Sequence, residues 1–192
     1  MNQARPTPHK VSFEPTPNPH TLRFSAQQVF NEFPANFTSS QETTISPLAR
    51  KLFGFPWCQG VYIGRDFVTV TKADWVEWDI IAEPLANLIE EHLNSGQPAV
   101  APLSEATGAN AAANSADSAE ILRIKKILDE EIRPMVAQDG GDIVFSRFEH
   151  GIVYLHMQGS CAGCPSSTMT LKMGIEARLM EAIPAVKEVV AI

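Results

Sequence analysis

HGIVYLHMQGSCAGCPSSTMTLKMGIEARL, His150 to Leu179, decides how the chain is read. Its first third is rich in β-branched, aromatic and other apolar residues after a His-Gly pair, the pattern of a strand leaving a turn. Its last third places Leu171, Ile175 and Leu179 four residues apart, which predicts a helix with one buried stripe, ending near Pro184. Cys161 and Cys164 fall on the loop between strand and helix, and Pro165 with Ser166 or Ser167 suits a helix start.

Working outward, IVFSRFEHGIVYLHM reads as two strands around His150-Gly151, and VKEVVAI as a closing strand. Upstream, a D-x-x-E cap at Asp117 and Glu120 precedes a helix with Ile121, Ile124, Leu128 and Ile132 on one face. QDGGD, residues 138–142, is a turn whose glycines allow positive φ. The order is α-β-β-α-β, an α+β domain in which two helices cover one face of a three-stranded sheet.

A second domain precedes it. Ser95 to Asp117, SGQPAVAPLSEATGANAAANSAD, is rich in Ala, Ser, Asn, Gly and Pro and poor in large apolar residues. Such a stretch cannot bury enough surface to offset ordering, so it reads as a flexible linker. The expected organisation is a first domain over residues 1–96, a linker over 97–118 and a second domain over 119–192. The first contains two short strands around a Pro/Asn turn, a short helix in SPLARKLFGF, and a hairpin in GVYIGRDFVTVTK turning at Gly64–Asp66. A helix follows, capped by Asp74 and Glu77, with Leu85, Leu88, Ile89 and Leu93 buried and Pro84 kinking or splitting it.

The 192 residues carry 15 basic and 22 acidic side chains, a net charge of −7, which argues against nucleic acid as a partner. No segment approaches the ~20 apolar residues of a membrane span. The N-terminal MNQARPTPHKVSF lacks the apolar core of a secretory signal. Three cysteines without framework spacing do not form a secreted disulfide scaffold, so a reducing cytoplasm is expected.

A cysteine pair ahead of a helix sees unpartnered first-turn amides and the positive end of the macrodipole, which should shift both thiols toward thiolate. Three chemistries fit. Structural zinc needs four ligands, and this domain adds only His150 and His156, the latter expected on a half-exposed strand. A thiol–disulfide redox protein would use the same pair, although the element order is not thioredoxin-like. An iron–sulfur cluster wants four thiolates, of which one chain supplies two, so a second copy would complete it.

EEIRPMVAQDGGDIVF followed by GSCAGCPSSTMTLKMGIEARL closely resembles the C-terminal domain of NifU-like (Nfu-type) iron–sulfur cluster carrier proteins. FEPTPNPHTLRFS and GVYIGRDFVTVTK resemble the N-terminal domain that accompanies it in one branch of that family. The resemblance implies that Cys161 and Cys164 are the cofactor-binding and metal-ligating residues, holding a [4Fe–4S] cluster shared between two chains of a homodimer. It also implies an upstream cluster donor, apo iron–sulfur client proteins, and no substrate turned over.

Cys58 matches no ligand of that family and reads as a buried or half-buried thiol beside Trp57. Asp139 and Asp142 offer too few oxygens for a hard metal. Met157, Met169, Met173 and Met180 read as core, with Met169 and Met173 able to line a dimer contact. Trp57, Trp75 and Trp78 are expected in the core or at an interface.

Overall fold

The computed structural model describes residues 8–101, 118–162 and 165–192, and of residues 165–168 the backbone alone. Most of the linker, Asp117, Cys164 and the hydroxyls of Ser166 and Ser167 lie outside this description. The chain divides into two compact units, one built on residues 20–102 and the other on 103–192. Each is α+β.

The first unit is a five-stranded antiparallel sheet in the order β1-β2-β5-β4-β3. Its strands are β1 (Val11–Pro15), β2 (Thr21–Ala26), β3 (Ala35–Phe37), β4 (Cys58–Ile63) and β5 (Phe67–Lys72). The expected hairpin is present, with the Gly64 N–H donating to the Phe67 carbonyl at 2.8 Å. β3 was not foreseen: three residues with one buried side chain leave no readable alternation.

Helix α1 (Pro47–Leu52) starts at Ser46, whose Oγ accepts from the Ala49 N–H at 2.9 Å, and places Pro47 where its missing donor is harmless. Helix α2 (Trp78–Asn94) runs through Pro84 without a break. The expected Asp74–Glu77 cap does not form; Glu77 is the N-cap without a side-chain bond, and Asp74 instead meets His20 Nδ1 at 3.1 Å. Leu85, Ile89 and Leu93 are buried as read, and pack with Phe24, Val61, Ile63, Val68 and Val70 of the sheet. Of the three tryptophans, Trp57 is buried and Trp78 half-buried, whereas Trp75 is 68% exposed and belongs to no core. Beyond α2 the chain stays on this unit: the Ala99 carbonyl accepts from Ser46 Oγ at 2.6 Å and the Ala101 N–H donates to Ile45 O at 2.6 Å.

The second unit follows the α-β-β-α-β order, with one irregularity. Helix α3 (Ala119–Ile127) is capped by Ser118, which accepts from the Ile121 N–H at 3.4 Å. It passes into a π-helical turn over Leu128–Ile132 and then helix α4 (Arg133–Gln138). Pro134 gives the physical reason. It has no N–H for the Glu130 carbonyl, and its ring crowds that carbonyl, so a widened turn ahead of it relieves the conflict. The buried residues keep step through the turn, at Ile124, Leu128, Ile132 and Val136.

Strands β6 (Gly141–Glu149) and β7 (Ile152–Gly159) form a long hairpin, and β7 pairs parallel with β8 (Glu188–Ala191) after the crossover through helix α5 (Pro165–Ala182). The hairpin turns at His150 (φ 54°) and Gly151 (φ 85°), the left-handed pair expected of a tight two-residue loop. Ile143, Val153, Leu155 and Val189 point from the sheet into the helices, meeting Ile124, Ile132, Ile175 and Leu179. On the other face Val144 and His156 are exposed, and the Arg147 guanidinium lies 3.8 Å over the Tyr154 ring.

Candidate functional site

Cys161 sits where β7 ends and α5 is about to begin, on a loop leaving Gly159 (φ 63°). Helix α5 starts at Pro165, as its sequence demands. Cys164, three positions on, lies outside the described residues.

The loop is seated against the turn between α4 and β6. Ser160 Oγ donates to the Asp139 carbonyl at 2.5 Å, and the Ser160 N–H donates to the Gly140 carbonyl at 3.2 Å. Gly140 takes φ 79°, the conformation for which glycine was expected here. Gly141 has a different role: a Cβ built on it would lie 2.3 Å from Cys161 Sγ. The second glycine of QDGGD is therefore a seat for the cysteine sulfur. The spacing of the motif carried no signal of that, because the two residues meet only through the β6–β7 register, where Gly141 pairs with Gly159.

The turn is anchored in turn. Arg133 makes a two-pronged contact with Asp142, Nε to Oδ1 and Nη2 to Oδ2, each at 2.8 Å, and Asp142 Oδ1 also accepts from the Ile143 N–H at 2.8 Å. The carboxylate of Asp142 holds the Arg133 guanidinium further toward its charged form than usual. Sequence reasoning set Asp142 aside as a turn residue and did not single out Arg133.

The electrostatics of Cys161 differ from the expectation. Burial pushes its thiol up to about 11; the Ser160 hydroxyl opposes this, and the Asp139 and Asp142 carboxylates add to it. For a residue only 6% exposed, desolvation of the thiolate is the largest influence on the thiol. At neutral pH Cys161 therefore rests as a thiol.

Other candidates separate from this place. His156 is exposed on the outer face of β7, and His150 occupies the hairpin turn. Among the described residues no three His, Cys, Asp or Glu side chains are grouped closely enough to hold a metal. Cys58 belongs to the first unit, half-buried at a bulge in β4, with burial pushing its thiol up to about 12. Met157 is partly buried against the core, whereas Met169, Met173 and Met180 are exposed. Cys161 also borders a largely apolar groove with Ile132, Met135, Leu171, Gly174 and Ile175. Among the described residues no helix is long and apolar enough to cross a membrane.

Comparison with known proteins decides the family. Residues 124–190 match the NifU-like domain, and residues 11–96 match the N-terminal domain of scaffold protein Nfu/NifU. The chain is 38% identical to the human NFU1 iron-sulfur cluster scaffold homolog, over 93% of its own length and 70% of that protein's. This chain belongs to the NifU-like family. Within it, NifU-like protein 5 of Arabidopsis thaliana is 41% identical over 93% of this chain, which spans 66% of that relative's length. A solution structure of a NifU-like protein from Saccharomyces cerevisiae aligns at 22% identity, covering 52% of this chain and 92% of that one, with a TM-score of 0.44.

These NifU-like relatives correct one expectation. The plant proteins and the human one are all named mitochondrial, which overturns the cytoplasmic placement. The physical reason is plain: sparse, odd cysteines argue against an oxidising compartment but do not choose among reducing ones.

Proposed function

We propose that this chain is an iron–sulfur cluster scaffold and carrier, and that Cys161 and Cys164 of two copies hold one [4Fe–4S] cluster as cargo. Domain limits at 1–96, 97–118 and 119–192 are part of the same proposal. The observation that carries it is the pairing of a CxxC loop with a glycine seat for its first sulfur in a chain of this family. The human relative is itself named an iron-sulfur cluster scaffold.

The donor set fits the cargo. Thiolates are the usual ligands of such clusters, and two per chain make half of the common set of four. Binding replaces the thiol proton of Cys161, so loading releases protons and weakens as pH falls. Helix α5 begins at Pro165, directly after the loop, so the positive end of its dipole adjoins the site and favours the anionic cluster. A cluster held by two loops at a joint surface is released by separating them, which suits delivery to apo-proteins. No substrate is turned over in this reading. A thiol–disulfide redox role for the same pair is less well supported, because the α-β-β-α-β order of this unit is not thioredoxin-like.

Anaerobic reconstitution with iron and sulfide tests it. The expected product is a brown dimer with about one cubane per two chains. Cys161→Ser and Cys164→Ser should each abolish the chromophore, and Cys58→Ser should leave it. A colourless monomer that reduces disulfides catalytically would overturn the proposal, and failure of the loaded dimer to activate an apo-enzyme would remove the delivery step.

A further inference from the structure

Four contacts tie the Cys161 loop to the α4–β6 turn: two hydrogen bonds from Ser160, the seat of the sulfur on Gly141, and the pairing of Gly141 with Gly159. The turn is fastened at its far side by Asp142, 6% exposed, gripped by both prongs of Arg133. Arg133 reaches back to Asp129 as well, Nη1 to Oδ1 at 3.1 Å, across the join with the π-helical turn. A continuous run of contacts therefore leads from Asp129 through Arg133, Asp142 and Gly141 to Cys161 Sγ.

We propose that Arg133 and Ser160 are positioning residues for Cys161: together they hold the DGGD turn as a rigid bed, so that the cysteine sulfur has one place to rest. Neither touches the sulfur closely. Ser160 Oγ lies 4.0 Å from it, and Arg133 acts through Asp142. A fork matters here because a planar guanidinium bonds both carboxylate oxygens and fixes the orientation of the carboxylate, which a lysine ammonium cannot do. As a consequence for the cargo, resting on the function proposed above, a preset sulfur loses little freedom on ligation, and the cluster stays bound longer.

The test uses the full-length reduced protein without cargo, pulse-alkylated with iodoacetamide, with fragment-resolved mass spectrometry separating Cys161 from Cys164 and Cys58. Arg133→Gln should raise the alkylation rate of Cys161 on the order of tenfold through local opening. Ser160→Ala should raise it less, and Arg133→Lys should fall between wild type and Arg133→Gln. Cys58, in the other unit, should not change and controls for the labelling conditions, while an unchanged circular-dichroism spectrum and a cooperative melt of the second unit exclude its global unfolding.

The sign of the effect separates positioning from electrostatics. Removing a nearby cation disfavours the thiolate and slows alkylation, so acceleration reports release of the loop. An unchanged or slower Cys161 in folded Arg133→Gln and Ser160→Ala overturns the proposal. If Arg133→Gln does not fold, Ser160→Ala, which leaves the ion pair in place, decides alone. In a second arm, reconstituted variants should show the wild-type visible spectrum and a shorter cluster lifetime; an unchanged lifetime also overturns the positioning role. A wild type that loads no cluster sinks the function proposed above, while the alkylation arm still decides this inference.

Discussion

Cys161 Sγ occupies the space that a side chain at Gly141 would need. An added Cβ would lie 2.3 Å from the sulfur, 3.0 Å from the Gln158 carbonyl oxygen and 3.1 Å from the Cys161 nitrogen. Rotating the cysteine relieves only the first of these contacts; the other two are backbone. Gly141→Ala should therefore displace the loop as a whole, at a cost of about 1–3 kcal/mol for an overpacked site. Thermal unfolding should register the loss, and the cysteine should become more accessible to alkylation. A variant with wild-type melting temperature and unchanged Cys161 reactivity would show that the seat has no such role.

Gly174 presents the opposite case. It lies inside α5, and a Cβ there meets nothing within 4 Å. Helix propensity then acts without opposition, because alanine leaves the unfolded chain less freedom and shields the helix backbone. Gly174→Ala should stabilise the second unit by up to about 1 kcal/mol, read as a higher melting temperature. A lower melting temperature would mean that the groove beside Cys161 is narrower than described.

The two faces of the second sheet should respond unequally. Leu155 is fully buried among Ile124, Ile175 and Leu179, whereas Val144, on the neighbouring strand, is 37% exposed on the other face. Leu155→Ala should cost about 2–5 kcal/mol through lost burial and the cavity left behind. Val144→Ala should cost under about 1 kcal/mol. Denaturant midpoints of the two variants measure the contrast, and equal losses would contradict the one-sided packing.

Much of this architecture was legible because local periodicity and tertiary burial agree in it. Leu171, Ile175 and Leu179 marked α5, His150-Gly151 marked the hairpin, and the cysteine loop fell between strand and helix. What stayed hidden depends on residues meeting at a distance. A D-x-x-E pattern at Asp74 does not reveal that His20 competes for the carboxylate, and Pro134 does not announce that the helix will widen rather than stop. At the site, the helix-dipole argument is sound for an exposed thiol and fails for the buried Cys161, since burial cannot be read from CxxC spacing. The same limit hid Gly141 and Arg133, whose roles appear only once β6 and β7 are in register.

His92 gives the first unit a pH dependence of definite sign. Its side chain is fully buried, with Nε2 3.3 Å from the Pro98 carbonyl oxygen and Nδ1 buried without a hydrogen-bond partner. Burial disfavours the imidazolium and holds its pKa below the usual histidine value; the Pro98 contact opposes this, and the Lys51 charge reinforces it. The unfolded chain thus binds a proton more readily than the folded one. The stability associated with neutral His92 is fully present above the unfolded value of ~6.5 and is lost as pH falls from there toward the lower folded value. Unfolding of the first unit should therefore grow easier as pH falls below ~6.5, and His92→Gln should flatten that slope while lowering stability at neutral pH. Chemical denaturation across a pH series in both proteins measures the difference in slope, and identical slopes would show that the ring does not resist protonation.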